Sequence, residues 1–200
     1  MGAGRRWRRL GAGVVALLAM TGCSDADGDE VPTAAATPRV SETTTDSPSE
    51  SPAPGPTPWP EPTRPAAMER DDIEGAKAAA EYFLALHPYI FATGALDEWN
   101  SMSHPECQFC NGAAEHVAEL FSVGGYGLGG EFIVEDVQAS SMPGEESRYL
   151  VDVSGVETPS VEYSSDGNIM RDFEGGPLVY NIGVVRDGDV WVVRGVSWEE

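Results

Sequence analysis

His104, Cys107 and Cys110, in the stretch SMSHPECQFCNG, are a histidine and two thiols set three positions apart. Three chemistries fit that spacing. A Cys-x-x-Cys pair can close a small disulfide, worth roughly 2 kcal/mol in the chain-entropy description. A thiol just ahead of a helix has its thiolate stabilised by the helix dipole and can exchange with other thiols. His104 with both thiolates is also three-quarters of a zinc site, and His116 would be the fourth ligand. A redox Cys-x-x-Cys usually sits between a strand and a helix, whereas helical patterns flank this one on both sides. Two cysteines are also an unusual choice for zinc outside the cell. The choice among the three turns on the compartment, because thiols pair in an oxidising exterior.

His87 is the second candidate. It falls in the middle of the apolar face of a helical pattern, between Leu84 and Phe91. If that face lines an interior pocket, His87 is placed to orient a ligand or act as a general base; otherwise it is a neutral core histidine. Tyr82, Phe83, Tyr89 and Tyr163 are the expected companions on the pocket wall. Two other patterns promise less. Residues 125–130, GYGLGG, satisfy G-x-G-x-x-G but follow a helical pattern and precede a strand, the reverse of a dinucleotide loop, and read as a flexible connection. Asp166, Asn168, Asp172 and Glu174 match no calcium-loop spacing and read as a solvated acidic loop. Asp152, between Val151 and Val153, reads as facing water. No catalytic triad, metal set or cofactor motif is expected.

The N-terminus answers the compartment question. Arg5, Arg6, Arg8 and Arg9 precede an uncharged apolar run from Leu10 to Met20, the layout of a secretory signal. The run is about 11 residues, short of the roughly 20 that span a bilayer. Met20-Thr21-Gly22-Cys23 resembles the lipobox of bacterial lipoproteins, with Met where Leu is usual. The resemblance implies cleavage after residue 22, acylation of Cys23 with palmitate-type chains, and anchoring on the outer face of the cell membrane.

Residues 23–68 then read as a tether. Ten of the fifteen prolines lie in residues 24–68, mixed with Ser, Thr, Ala and Asp. Such a segment buries too little apolar surface to order itself. Near polyproline II, 45 residues reach on the order of 100 Å. The remaining residues, 69–200, carry 6 basic and 25 acidic side chains, a net charge of −19. Phosphate backbones and anionic headgroups are repelled by that surface, so nucleic acid is excluded as a partner. An envelope protein, the cell wall or a small molecule remains.

Within 69–200 the apolar period is helical first and alternating afterwards. One helix is expected from Asp71 to about Phe91, kinked or broken at Pro88 and capped by Gly94. A short one follows at Leu96–Met102, and a third at about Gly112–Val123. EFIVEDVQAS, SRYLVDVSGV and SVEYSS read as strands. PLVYNIGVVRDGDVWVVRGVSW reads as a hairpin turning on Asp187-Gly188 and, apolar on both faces, as central in the sheet. Helices preceding strands predict an α+β fold with N-terminal helices against a curved antiparallel sheet.

This order of elements, from Asp72 to Trp198, resembles the cone-shaped fold of the nuclear transport factor 2-like (cystatin-like) superfamily. More closely, AEYFLALHPYIFATGALDEWNSMSHPECQFC with the terminal DGDVWVVRGVSW resembles a family of actinobacterial lipoproteins of unknown function, domain of unknown function 6318. The likeness rests on Ala92-Thr93-Gly94 followed by Ser103-His104-Pro105-Glu106-Cys107-Gln108-Phe109-Cys110; Pro88 departs from it. It implies fold and location and no activity. The sequence thus points to a non-enzymatic binding or scaffolding lipoprotein, with a small-molecule-binding or catalytic cone domain, its pocket near His87, as the alternative.

Overall fold

The computed structural model describes residues 59–145 and 147–199. The signal, Cys23 and most of the tether lie outside the described residues. Three helices come first: α1 (Ile73–Thr93), α2 (Asp97–Met102) and α3 (Gln108–Ser122). Seven strands follow: β1 (Tyr126–Gly129), β2 (Phe132–Ser141), β3 (Arg148–Glu157), β4 (Ser160–Tyr163), β5 (Ile169–Phe173), β6 (Gly176–Asp187) and β7 (Val190–Glu199). They form two antiparallel sheets, one in the order β2-β3-β6-β7 and one in the order β1-β4-β5. Helices packed against antiparallel sheets are the α+β arrangement that the sequence predicts.

Helix α1 is well punctuated. The Asp72 side chain accepts from the N–H groups of Glu74 and Gly75 at 3.1 and 3.2 Å. At the other end Gly94 takes a φ of +72°, where its N–H donates to the Ile90 carbonyl. The expected break at Pro88 does not occur: the helix runs through it. Proline costs an interior helix one hydrogen bond and a steric clash. Burial on both sides of it, by Leu84, Leu86, Ile90 and Ala92, holds the two halves in line. Helix α3 starts ahead of the expected Gly112, because Cys107 caps it, its sulfur accepting from the Cys110 N–H at 3.2 Å.

The core lies between α1, α2 and the inner face of the four-stranded sheet. Phe83 stacks on Trp99 with ring centroids 4.1 Å apart, and both are fully buried. Val151, Val153, Ile182, Val184, Trp191 and Val193 supply the sheet side. A 3-10 turn, Ala66–Glu69, pins the start of the domain. Its Met68 is buried, and the Met68 carbonyl accepts from Trp191 Nε1 at 3.0 Å.

Three expectations about strands need correcting. Residues 126–129 are no flexible connection but β1, paired with β4 through Tyr126–Tyr163, Gly127–Glu162, Leu128–Val161 and Gly129–Ser160. The acidic loop is partly β5, and its remaining turn is closed internally, with Ser164 Oγ and Asn168 Nδ2 donating to the Asp166 carboxylate. In the last hairpin Asp187 pairs with Val190, so the two loop residues are Gly188 and Asp189. Only Gly188 has a positive φ there, +58°, which is the type II′ pattern. That hairpin is also not central as a whole: β6 is interior, while β7 is an edge. The segment after α2 covers part of this edge, the His104 N–H donating to the Val193 carbonyl at 2.9 Å. An apolar run on both faces therefore reflects a covered edge as well as an interior strand.

Candidate functional site

A cavity of about 150 Å³ lies between α1, α3 and the strands β1, β3, β4 and β5. Helix α1 contributes His87, Pro88 and Phe91, and α3 contributes His116. Residues 127–130 form one wall, and Glu157, Ser160, Val161, Glu162 and Phe173 another. Phe173 is 47% exposed, so the cavity reaches solvent on its side. Gly127 has a steric reason to be glycine: a Cβ there would lie 3.1 Å from the Cβ of Phe91, at the closest approach of α1 to β1.

The polar groups of the cavity are concentrated. Glu162 is the one charged residue among the described residues that is fully buried, at 5% exposure. His116 Nε2 stands 3.1 Å from its Oε1, and Arg171 Nε stands 3.9 Å from its Oε2. Arg171 Nη1 also lies 3.3 Å from His116 Nε2. A carboxylate removed from water needs such partners, because an isolated buried charge is unfavourable by several kcal/mol. Glu157, on the same wall, accepts from the Tyr180 hydroxyl at 2.8 Å. Burial first, and then this carboxylate, push the Tyr180 phenol well above its ordinary pKa, so it stays a neutral donor.

His87 packs among aromatic rings, 4.9 Å from Phe91, 5.8 Å from Trp99 and 5.9 Å from Phe109. Burial, and then His116, pull its pKa from the ordinary 6.5 down to about 4. It is therefore neutral at pH 7, a polar edge on the cavity rather than a cation. The sign of the resulting pH dependence is fixed. An unfolded chain takes up this proton near pH 6.5 and the folded chain only near pH 4, so stability falls as pH drops through that window. One pKa unit corresponds to about 1.4 kcal/mol. Because the ring borders an open cavity, a loss of roughly 2 kcal/mol is expected. His87→Phe should flatten the urea midpoint between about pH 6.5 and pH 4; an unchanged slope would assign the acid sensitivity to another group.

The other expected wall residues stand elsewhere. Phe83 is in the core on Trp99. Tyr82 is buried beneath Arg64, whose guanidinium carbon lies 5.7 Å from its ring, and burial followed by Glu98 raises its pKa to about 12. Tyr163 stacks on Tyr126 at 5.3 Å, and Tyr89 accepts from the Thr93 hydroxyl through its carbonyl. Tyr82 and Tyr89 are near His87 in sequence but on other sides of α1, Phe83 shares its side and is taken up by Trp99, and Tyr163 comes from β4. Glu157 and Glu162 were not foreseen. In a strand as short as β4 nothing in the sequence says which face meets a helix. Asp152 is a related case: it is half-buried, and its Oδ1 is enclosed with no protein partner, rather than facing water.

Around the cysteines the geometry is compact. Cys107 and Cys110 are joined through their sulfurs with Cα atoms 5.3 Å apart, and neither has exposed surface. Trp99 Nε1 donates to the Cys110 carbonyl at 3.0 Å, tying this turn to the core. Sulfurs so enclosed are out of reach of an attacking thiolate, which argues against exchange chemistry. His104 Nδ1 accepts from the Glu106 N–H at 3.1 Å, and its other nitrogen faces Arg194. His116, turned to Glu162, belongs to the cavity. Among the described residues no three His, Cys, Asp or Glu side chains are gathered to hold a metal ion.

Helices laid on antiparallel sheets place the molecule among α+β domains. Its fold is similar to the intermembrane space region of the chloroplast protein ARC6. That likeness has a TM-score of 0.50 at 11% identity and covers 64% of this chain and 97% of that one. A looser likeness, with a TM-score of 0.38 at 11% identity, is to an uncharacterized protein with a cystatin-like fold from Caulobacter vibrioides, covering 60% and 85% of the two chains. No curated protein matches the sequence. The chain belongs to the family of unknown function DUF6318, which matches residues 49–196.

Proposed function

We propose that the protein is a bacterial lipoprotein, of the kind the actinobacterial resemblance implies, held on the outer face of the cell membrane by acylated Cys23. Its domain binds a small molecule in the cavity between His87, His116 and Glu162 and has no catalytic role. The cavity carries this reading. It reaches His87 from solvent, and among the described residues it is where a buried charge meets open space. Its size is close to that of an apolar cavity that accommodates a single aromatic ring. Apolar walls with a few convergent polar groups are what small-ligand sites have in common. Binding is favoured over catalysis because His87, the residue placed to act as a base, is too weak a base at neutral pH. The signal at residues 1–22, the lipobox and the Pro-rich tether support the anchoring. In that compartment the Cys107–Cys110 bond serves as a staple between α2 and α3.

Two measurements test this. Intact mass of the full chain recovered from membranes should show cleavage before Cys23, added acyl mass, and two hydrogens fewer than the reduced chain. An uncleaved N-terminus in the soluble fraction would remove the anchor from the proposal. Amide NMR spectra of the full chain, titrated with a panel of ring-sized fragments, should show shifts centred on residues 127–130 and His116. A panel that leaves those resonances untouched at millimolar concentration would show that the cavity is not a binding site.

A further inference from the structure

The cavity wall is unbalanced in charge. Two carboxylates, Glu157 and Glu162, line it. Glu162 has His116 at 3.1 Å and Arg171 at 3.9 Å, but Arg171 reaches it from a side chain that is 60% exposed. Glu157 has the Tyr180 hydroxyl at 2.8 Å, a donor that supplies a hydrogen bond and no charge. His87 brings a neutral ring, with one N–H to offer and no charge. The rest of the lining is mainly apolar, with the aromatic rings of Phe91 and Phe173 and the hydroxyl of Ser160. Aromatic faces beside carboxylates attract organic cations, the ring quadrupole adding to the charge.

We infer that the ligand of this cavity is a small organic cation, an ammonium group on a compact apolar body. The inference rests on the binding reading above and names the class of ligand. The long-range field agrees with it, since a domain of net charge −19 concentrates cations near its surface. A hard metal cation fits poorly. Calcium wants six to eight oxygens, and no cluster of three potential ligands is present among the described residues. An organic anion fits worse, because both wall carboxylates repel it and the nearest guanidinium, Arg171, is already turned to Glu162 and His116.

Three probes sharing one ring separate the possibilities: benzylamine, benzyl alcohol and benzoate, titrated into the full chain near neutral pH at low salt and followed by amide NMR. Benzylamine is expected to bind about tenfold more tightly than the alcohol, and benzoate not at all. Glu162→Gln and Glu157→Gln, each checked for a folded spectrum, should remove most of the preference for the amine over the alcohol. Two variants are used because Glu162 also anchors His116 and Arg171. Alcohol or benzoate binding as tightly as the amine would overturn the cation while leaving the cavity a binding site. Benzylamine binding that survives both variants would locate it on the acidic surface and overturn the inference. If none of the three probes moves residues 127–130 or His116, the binding reading itself falls, and the cation with it.

Discussion

Trp99→Ala is expected to lower the stability of the domain by about 4 kcal/mol and its Tm by on the order of 15 °C. Trp99 is fully buried, stacked on Phe83 at 4.1 Å, and it donates to the Cys110 carbonyl at 3.0 Å. Truncation leaves a cavity and takes from the Cys110 carbonyl the donor that ties it to α2, and the two costs add. Because folded domains are stable by only about 5–15 kcal/mol, a loss of this size leaves little in reserve. Two comparisons separate burial from chemistry. Trp99→Phe keeps a ring to stack but loses the N–H and part of the indole's volume, so about half the cost is expected. Trp198→Ala, at a tryptophan 54% exposed and edge-on to Phe109, should cost less than about 1 kcal/mol. Urea unfolding of the three variants decides the matter. Equal losses at Trp99 and Trp198 would mean that α2 and the cysteine turn do not form part of the core.

Gly129→Ala should be costly for a different reason. Gly129 has a φ of +83°, and a Cβ there would come within 2.2 Å of the Pro159 carbonyl oxygen. Left-handed backbone costs an L-residue about 1–2 kcal/mol, and an overlap with backbone cannot be relieved by turning a side chain. A total loss of about 3 kcal/mol is expected, together with displacement of β1 and thus of one cavity wall. Gly112→Ala is the opposite case. It lies inside α3, where an added Cβ meets nothing within 4 Å, so about 1 kcal/mol of stabilisation is expected. The two alanines should shift the Tm in opposite directions. If Gly129→Ala proved neutral, the stretch 125–130 would be the loose connection its composition suggests, and the cavity would lack a fixed wall.

That stretch shows where local reasoning runs out. Glycine-rich composition signals freedom of the unfolded chain. Whether the chain keeps that freedom depends on what pairs with it, and here β4 supplies a partner for every residue of β1. Pro88 teaches the same lesson in reverse: a residue that breaks an isolated helix is carried by one whose flanking turns are buried.

The sequence by itself determined the features set by neighbours along the chain. The Asp71-Asp72 pair and Gly94 marked the ends of α1 through caps that involve adjacent N–H and C=O groups, and the structure picks Asp72 of the pair. Alternation located β2, β3, β4, β6 and β7 but not β1 or β5, and the placing of helices before strands gave the α+β class. His87 could be assigned to an inward face because helical spacing is local. The juxtaposition of His116, Glu162 and Arg171, the glutamate pair on one wall and the edge position of β7 were decided only by the tertiary structure. They depend on which face of a short strand meets a helix far away in the chain. No period within β4 or β5 carries that information, since a residue's burial there is set by the elements packed over it.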